Sequence, residues 1–193
     1  SRGLGDVYKR QYLDRAEAEA RWGANAELYS GKIQRAVEET DGLGVLYNGA
    51  PIQAVFFSSA AGRTVGAVEA WGNSVDYLVG VESPEGEEVP NYHSQVVLTA
   101  EEVRTAALAQ YPGADLSGDP SGWFSQPVEN SAGGVASVDL GGVTLTGSEV
   151  RTLFGLRSAS FSVSWDGEAF TFDVTGYGHG VGMSQYGANA MAR

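Results

Sequence analysis

From Tyr12 to Trp22 the chain is rich in Ala, Glu and Arg and reads as a helix that Gly23 ends. A second short helix is predicted over Lys32 to Glu39, with Ile33, Ala36 and Val37 facing inward. The period then changes from helical to alternating. Val45-Leu46-Tyr47, the Asn48-Gly49 pair and Ile52 to Phe57 predict a hairpin, because Asn-Gly readily takes the positive φ angles of a type I′ turn. Tyr77 to Val81 and Val96 to Leu98 predict strands. Between them Ser83 to Asn91 forms an acidic loop that carries Glu85, Glu87 and Glu88 between Pro84 and Pro90. Thr99 and Glu102 make a capping box that opens a helix through Gln110.

Pro112 to Pro127 is a polar loop holding Trp123. Val135 to Leu140, Gly141-Gly142 and Val143 to Thr146 predict a second hairpin. Thr146 and Glu149 cap a short helix that ends near Gly155. Phe161 to Trp165, Asp166-Gly167 and Ala169 to Thr175 predict a third hairpin. No repeat of fixed period is present. The expected class is α+β, a strand-rich domain of several antiparallel hairpins with a few short helices. Residues 1–11 lack an apolar period and read as a non-native scar or a disordered tail, outside a domain over 12–193.

Composition narrows the function more than the fold. The 193 residues carry a net charge of −12, unevenly spread. Residues 1–35 hold seven Lys/Arg and five Asp/Glu, whereas 36–193 hold five and nineteen. Such a surface repels a phosphate backbone, so nucleic acid is not an expected partner. The absence of cysteine excludes disulfides, thiolate metal sites and a cysteine nucleophile. No apolar run reaches the length needed to span a bilayer. Glycine, at 27 residues, is about twice as common as usual.

Those glycines concentrate in Gly176-Tyr177-Gly178-His179-Gly180-Val181-Gly182-Met183-Ser184-Gln185-Tyr186-Gly187-Ala188, directly after a predicted strand. Glycine at every second position leaves backbone bare for close approach by a ligand, and a following helix adds oriented donors. The spacing fits neither a dinucleotide fingerprint nor a P-loop, so no cofactor is implied. His179 has two readings at this stage: donating to substrate or moving a proton, and fixing its own loop by bonding a carbonyl. A metal site is not expected, since only His93 could partner it and no ligand spacing exists.

The second candidate is Phe56-Phe57-Ser58-Ser59-Ala60-Ala61-Gly62-Arg63-Thr64, small and hydroxylic residues after a strand with Arg63 free to meet a carboxylate. It contains no G-x-S-x-G elbow, which argues against a hydrolase serine. Trp71, Trp123 and Trp165 could stack on sugar rings, with core packing the commoner use of such residues. Glu69, Asp76 and Glu82 lie near this segment and read as solvated charges.

Together these residues resemble a known family. Gly176 to Ala192 resembles the signature that closes the SpoIID/LytB domain of sporulation proteins and amidase enhancers. Lys32-Ile33, Ala36-Val37, Thr40 and Gly42 resemble that family's passage from helix to hairpin. Pro51-Ile52 through Thr64 resembles its Ser-Ser-x-Gly-Gly-x-Thr loop, followed by Val68 to Trp71-Gly72 and Tyr77-Leu78. Leu153 to Phe161 resembles its Leu-Arg-Ser-x-x-Phe segment, so the likeness covers residues 12–193. Phe57 departs from the pattern where many relatives have His, and Ala60-Ala61 replace Ser-Gly.

The resemblance implies work on cell-wall glycan. Members are lytic transglycosylases acting on strands stripped of stem peptides, or modules that stimulate an amidase. The transglycosylase reaction needs one carboxylic acid. It protonates the glycosidic oxygen, then takes the proton of a muramic acid C6 hydroxyl to close a 1,6-anhydro ring. The family's glutamate lies on an upstream Ala-rich helix in a Glu-Ala-Leu-Lys-Ala-Gln-like segment. Nothing before Lys32 matches it, and neither Glu17 nor Glu19 has that context, so the catalytic residue is unassigned.

The chain is therefore expected to be a fragment, truncated at both ends and catalytically inactive. Its glycan groove is expected from Ser58, Ser59, Gly62, Arg63, Thr64, Gly178, His179, Gly180, Ser184, Gln185 and Tyr186. The implied partners are peptidoglycan strands and a cell-wall amidase. The implied place is the cell envelope or the exterior, with membrane contact only through a lost N-terminal anchor.

Overall fold

The computed structural model describes residues 13–193. The expected scar or tail over 1–11 lies outside them, as does Tyr12, the expected start of the first helix. The described chain forms two compact units, meeting in sequence at Pro51 and Ile52.

In the first unit, helix α1 spans Arg15–Trp22. Asp14 caps it by accepting from the Glu17 N–H, and the Glu17 carboxylate returns the bond to the Asp14 N–H. A 3-10 turn at Gly23–Asn25 leads into α2, Ala26–Glu39, which begins six residues before the sequence predicts. Trp22 and Tyr29 meet edge to face across this joint, with centroids 5.9 Å apart. The expectation that Ile33, Ala36 and Val37 face inward fails. All three are exposed, because this short unit offers no layer to cover the apolar stripe.

The first hairpin is also shorter than predicted. β1, Leu46–Tyr47, pairs with β2, Ala50–Pro51, around Asn48 and Gly49, both at positive φ as the type I′ turn requires. Residues 52–57 do not continue it. β3, Phe56–Phe57, instead pairs in parallel with β10, Met183–Ser184, near the far end of the chain. Hydrophobic alternation marks a strand but does not name its partner, and here the partner is distant.

The second unit is built on two three-stranded antiparallel sheets. In one, β9 (Ala169–Thr175) lies between β4 (His93–Thr99) and β8 (Phe161–Trp165). In the other, β6 (Val135–Leu140) lies between β5 (Val128–Glu129) and β7 (Val143–Thr146). Helices α4 (Ala100–Gln110) and α5 (Gly147–Phe154) open on the capping boxes read from Thr99 and Thr146. Alternate residues of β9 point inward, so Phe170, Phe172 and Val174 are buried among Val138, Leu140, Leu145, Val103 and Val150. Trp123 joins this core, stacked on Phe170 at 5.7 Å, and satisfies its indole N–H on the Gly118 carbonyl.

Tyr77 to Val81 forms no strand. It runs as a loop whose carbonyls at Leu78 and Val81 accept from Ala67 and Thr64. Helix α3, Ala67–Trp71, is the short piece these bonds hold in place. The class is α+β, as the sequence predicts.

Candidate functional site

The two segments singled out by composition lie side by side, although His179 and the Phe56 it touches are 123 residues apart. Met183 N–H donates to the Val55 carbonyl at 3.1 Å, and Val65 N–H to the Gly180 carbonyl at 2.8 Å. Ser58 and Ser59 N–H groups both donate to the Tyr177 carbonyl at 3.1 Å, and Tyr177 N–H returns to the Ser59 carbonyl at 2.8 Å. Tyr186 N–H then reaches back to the Ser58 carbonyl at 3.1 Å. The opposite flank of 55–65 is held by Thr64 N–H on Val81 and Ser83 N–H on Gly62. Helix α6, Gln185–Met191, starts where this seam ends, with Ser184 as its cap.

This seam explains the alternating glycines differently from the sequence reading. At Gly178, φ +129°, an added Cβ would sit 2.5 Å from the Phe57 Cβ, and at Gly182, φ +80°, it would collide with the Val55 carbonyl oxygen. The space that glycine frees is filled by the chain's own 55–65 segment, not left open for a ligand.

His179 turns out to fix the loop. Val181 N–H donates to Nδ1 at 3.1 Å, so the proton is on Nε2, which donates to the Phe56 carbonyl at 3.1 Å. With both nitrogens bonded to backbone, the ring presents a face and an edge to its surroundings. Phe57 lies on one side at 5.6 Å and Trp71 on another at 5.7 Å, both tilted by 53°. Of the three tryptophans weighed for stacking, Trp123 is buried and Trp165 packs on Phe170, while Trp71 is 41% exposed.

The sequence-derived residues separate into two layers. Ser59, Thr64 and Ser184 are buried, and the hydroxyls of Thr64 and Ser184 are spent on internal bonds, so these side chains support the surface from beneath. Ser58, Arg63, Gly178, His179, Gly180 and Tyr186 are half-buried, and Gly62 and Gln185 are exposed. A small cleft brings together Ser59, Arg63, Gly178, His179 and Gly180 with Asn130 and Ala132 from the turn between β5 and β6. The cleft is small and open to solvent on one side.

Two carboxylates frame this surface, and both are held in the ionised form. Glu69, on α3, accepts the Ser131 N–H at 3.0 Å and hydroxyl at 2.7 Å. Those bonds, helped by Arg63, lower its pKa below the usual carboxylate range. Glu85 is the residue that sequence reasoning missed. Read as one charge of an acidic loop, it is 4% exposed and lies under α6, where it accepts the Ala60 N–H at 2.7 Å and the Ser184 hydroxyl. Burial pushes its pKa up, and the bonds from Ser184, Ser83 and Ala60 more than reverse that, leaving it lowered. A proline-flanked glutamate carries no sequence mark of burial, so only the seam reveals it.

No group of three His, Cys, Asp or Glu converges to hold a metal among the described residues. His93 instead bonds Glu87 at 2.8 Å and Thr175 at 3.1 Å. No helix of the described residues is long and apolar enough to cross a membrane.

No family model matches the chain. It is 37% identical over 182 residues to the stage II sporulation protein D of Bacillus subtilis (strain 168), covering 94% of this chain and 51% of that protein. It is 34% identical to stage II sporulation protein D of Bacillus amyloliquefaciens, with the same coverage. An amidase enhancer of Bacillus subtilis (strain 168) is 26% identical over 216 residues, which is 85% of this chain and 30% of that protein. The chain thus spans about half the length, or less, of the curated relatives it matches.

Proposed function

The chain belongs to the SpoIID/LytB family, and on that premise we propose that it binds peptidoglycan glycan strands across the surface made by residues 55–65 and 176–187. In this reading the strand lies along the exposed Trp71 indole, beside His179 and the cleft edged by Arg63. The observation that carries it is that indole. It is a large apolar ring left open to solvent next to polar groups held rigidly by the seam, which is what a pyranose face and its hydroxyls require. The full protein is then a wall-remodelling protein of the lytic transglycosylase type, working at the cell envelope or outside the cell.

Neither of the two carboxylates that frame this surface suits the part of the acid. A general acid for glycoside cleavage needs a raised pKa, whereas Glu69 and Glu85 are both held ionised. Binding without cleavage also suits a second role, that of a module which presents wall glycan to a partner amidase. The similarity to an amidase enhancer supports that role. Titrating the chain with stripped glycan strands while following tryptophan fluorescence tests the first reading. Adding it to a wall amidase acting on intact peptidoglycan tests the second.

A further inference from the structure

We propose that Asn48 is a site of spontaneous chemical modification, deamidated in the folded protein through attack by the Gly49 backbone nitrogen. The pair is the single Asn-Gly of the sequence and forms the two-residue tip of the β1–β2 hairpin, where both residues are exposed. A side chain at position 49 would screen that nitrogen. Glycine leaves it open, and nothing lies within 4 Å of the place a Cβ would take.

The step balances with water as the one co-reactant. The Gly49 nitrogen bonds to Asn48 Cγ and gives up its proton, and the side-chain nitrogen leaves as ammonia, which closes a five-membered succinimide. Water then opens the ring. Attack at Cγ gives aspartate, whereas attack at the main-chain carbonyl gives isoaspartate, with the main chain now running through Cβ. Either product adds a carboxylate to a chain whose net charge is already −12.

A closed type I′ turn holds Asn48 away from the backbone angle that ring closure needs, so the reaction waits for the hairpin to open. Opening is easy here. β1 and β2 form a sheet of two residue pairs joined to no third strand among the described residues, and Leu46 and Tyr47 are exposed. A lone two-stranded hairpin is marginally stable at best in water. Asn130 shows the opposite case. Its Oδ1 accepts the Ala132 and Gly134 N–H groups, and the next residue, Ser131, is held by Glu69, so both groups that would have to meet are fixed.

The two products act differently on the hairpin. Asp-Gly suits the same turn as Asn-Gly, so aspartate preserves it. Isoaspartate lengthens the main chain by a methylene between the strands and breaks the pairing of Tyr47 with Ala50.

The test incubates the full chain beside a synthetic peptide of residues 45–52 in mildly alkaline buffer. Both are then read by mass spectrometry, with the aspartyl and isoaspartyl forms separated by chromatography. Asn48 in the full chain converts within about tenfold of the peptide's rate, because the hairpin is open for a sizeable share of the time. Both products form, and Asn48 converts ahead of Asn130. Gly49→Ala loosens the turn yet covers the attacking nitrogen, and slows conversion at least about tenfold. Conversion slower than that tenfold limit in the full chain overturns the proposal. So does a Gly49→Ala chain that reacts as fast as wild type, since the side chain would then be hydrolysed without Gly49.

Discussion

Glu85 accepts the Ser184 hydroxyl beneath the last helix while also accepting the Ala60 N–H, so one buried carboxylate ties together the two segments that form the surface. The carboxylate belongs to a third segment, the acidic loop over 83–91. The seam is therefore a three-way junction whose centre is ionic.

Replacing Glu85 with Ala leaves the Ala60 N–H and the Ser184 hydroxyl without their acceptor and is expected to cost about 1–3 kcal/mol at neutral pH. The sign of its pH dependence is fixed by the lowered folded pKa. The stabilisation is complete above the usual carboxylate range and is lost as pH falls through the folded value. Thermal unfolding of wild type and Glu85→Gln across pH checks this. The gap in melting temperature should narrow in acid, and a constant gap would show that the charge is immaterial.

Gly182→Ala is expected to destabilise by about 2–4 kcal/mol, because strain at φ +80° is joined by collision with Val55. Gly49→Ala provides the control: it shares φ +80° but has no neighbour within 4 Å, so about 1 kcal/mol is expected from backbone strain alone. Denaturant melts of the two variants separate strain from packing.

Trp71 and His179 are neighbours with different expected effects. Trp71→Ala removes an exposed ring and should weaken glycan binding at least tenfold while moving the melting temperature little. His179→Ala breaks two bonds to backbone and should lower both stability and binding. If His179→Ala kept full stability and lost only binding, the ring would be acting on the ligand directly.

Glu69 anchors the turn that walls the cleft. Glu69→Gln weakens its grip on Ser131, and because the contact is exposed, stability should change by no more than about 0.5 kcal/mol. Glycan affinity should fall several-fold as the turn loosens, a difference that calorimetry resolves.

Local chemistry made much of the fold legible. The capping boxes at Thr99 and Thr146 and the Gly141-Gly142 and Asp166-Gly167 turns lie where the sequence places them, because each is decided within a few residues. Long-range pairing was not legible. The pattern over 52–57 marks an extended segment but cannot say that Phe56 pairs with Met183 rather than with the preceding hairpin. Both segments of the candidate site stood out by composition, yet the reason for their glycines did not, since a bare backbone looks the same whether it meets a ligand or another chain segment. Glu85 was hidden for a related cause: its burial depends on three segments converging, and none of them records the other two.

The most direct test is to incubate the chain with peptidoglycan strands stripped of stem peptides, then measure binding by calorimetry and products by mass spectrometry. The account predicts saturable binding that Trp71→Ala weakens at least tenfold, with no 1,6-anhydro products. Absence of binding, or 1,6-anhydro products released by the wild-type chain, would contradict it.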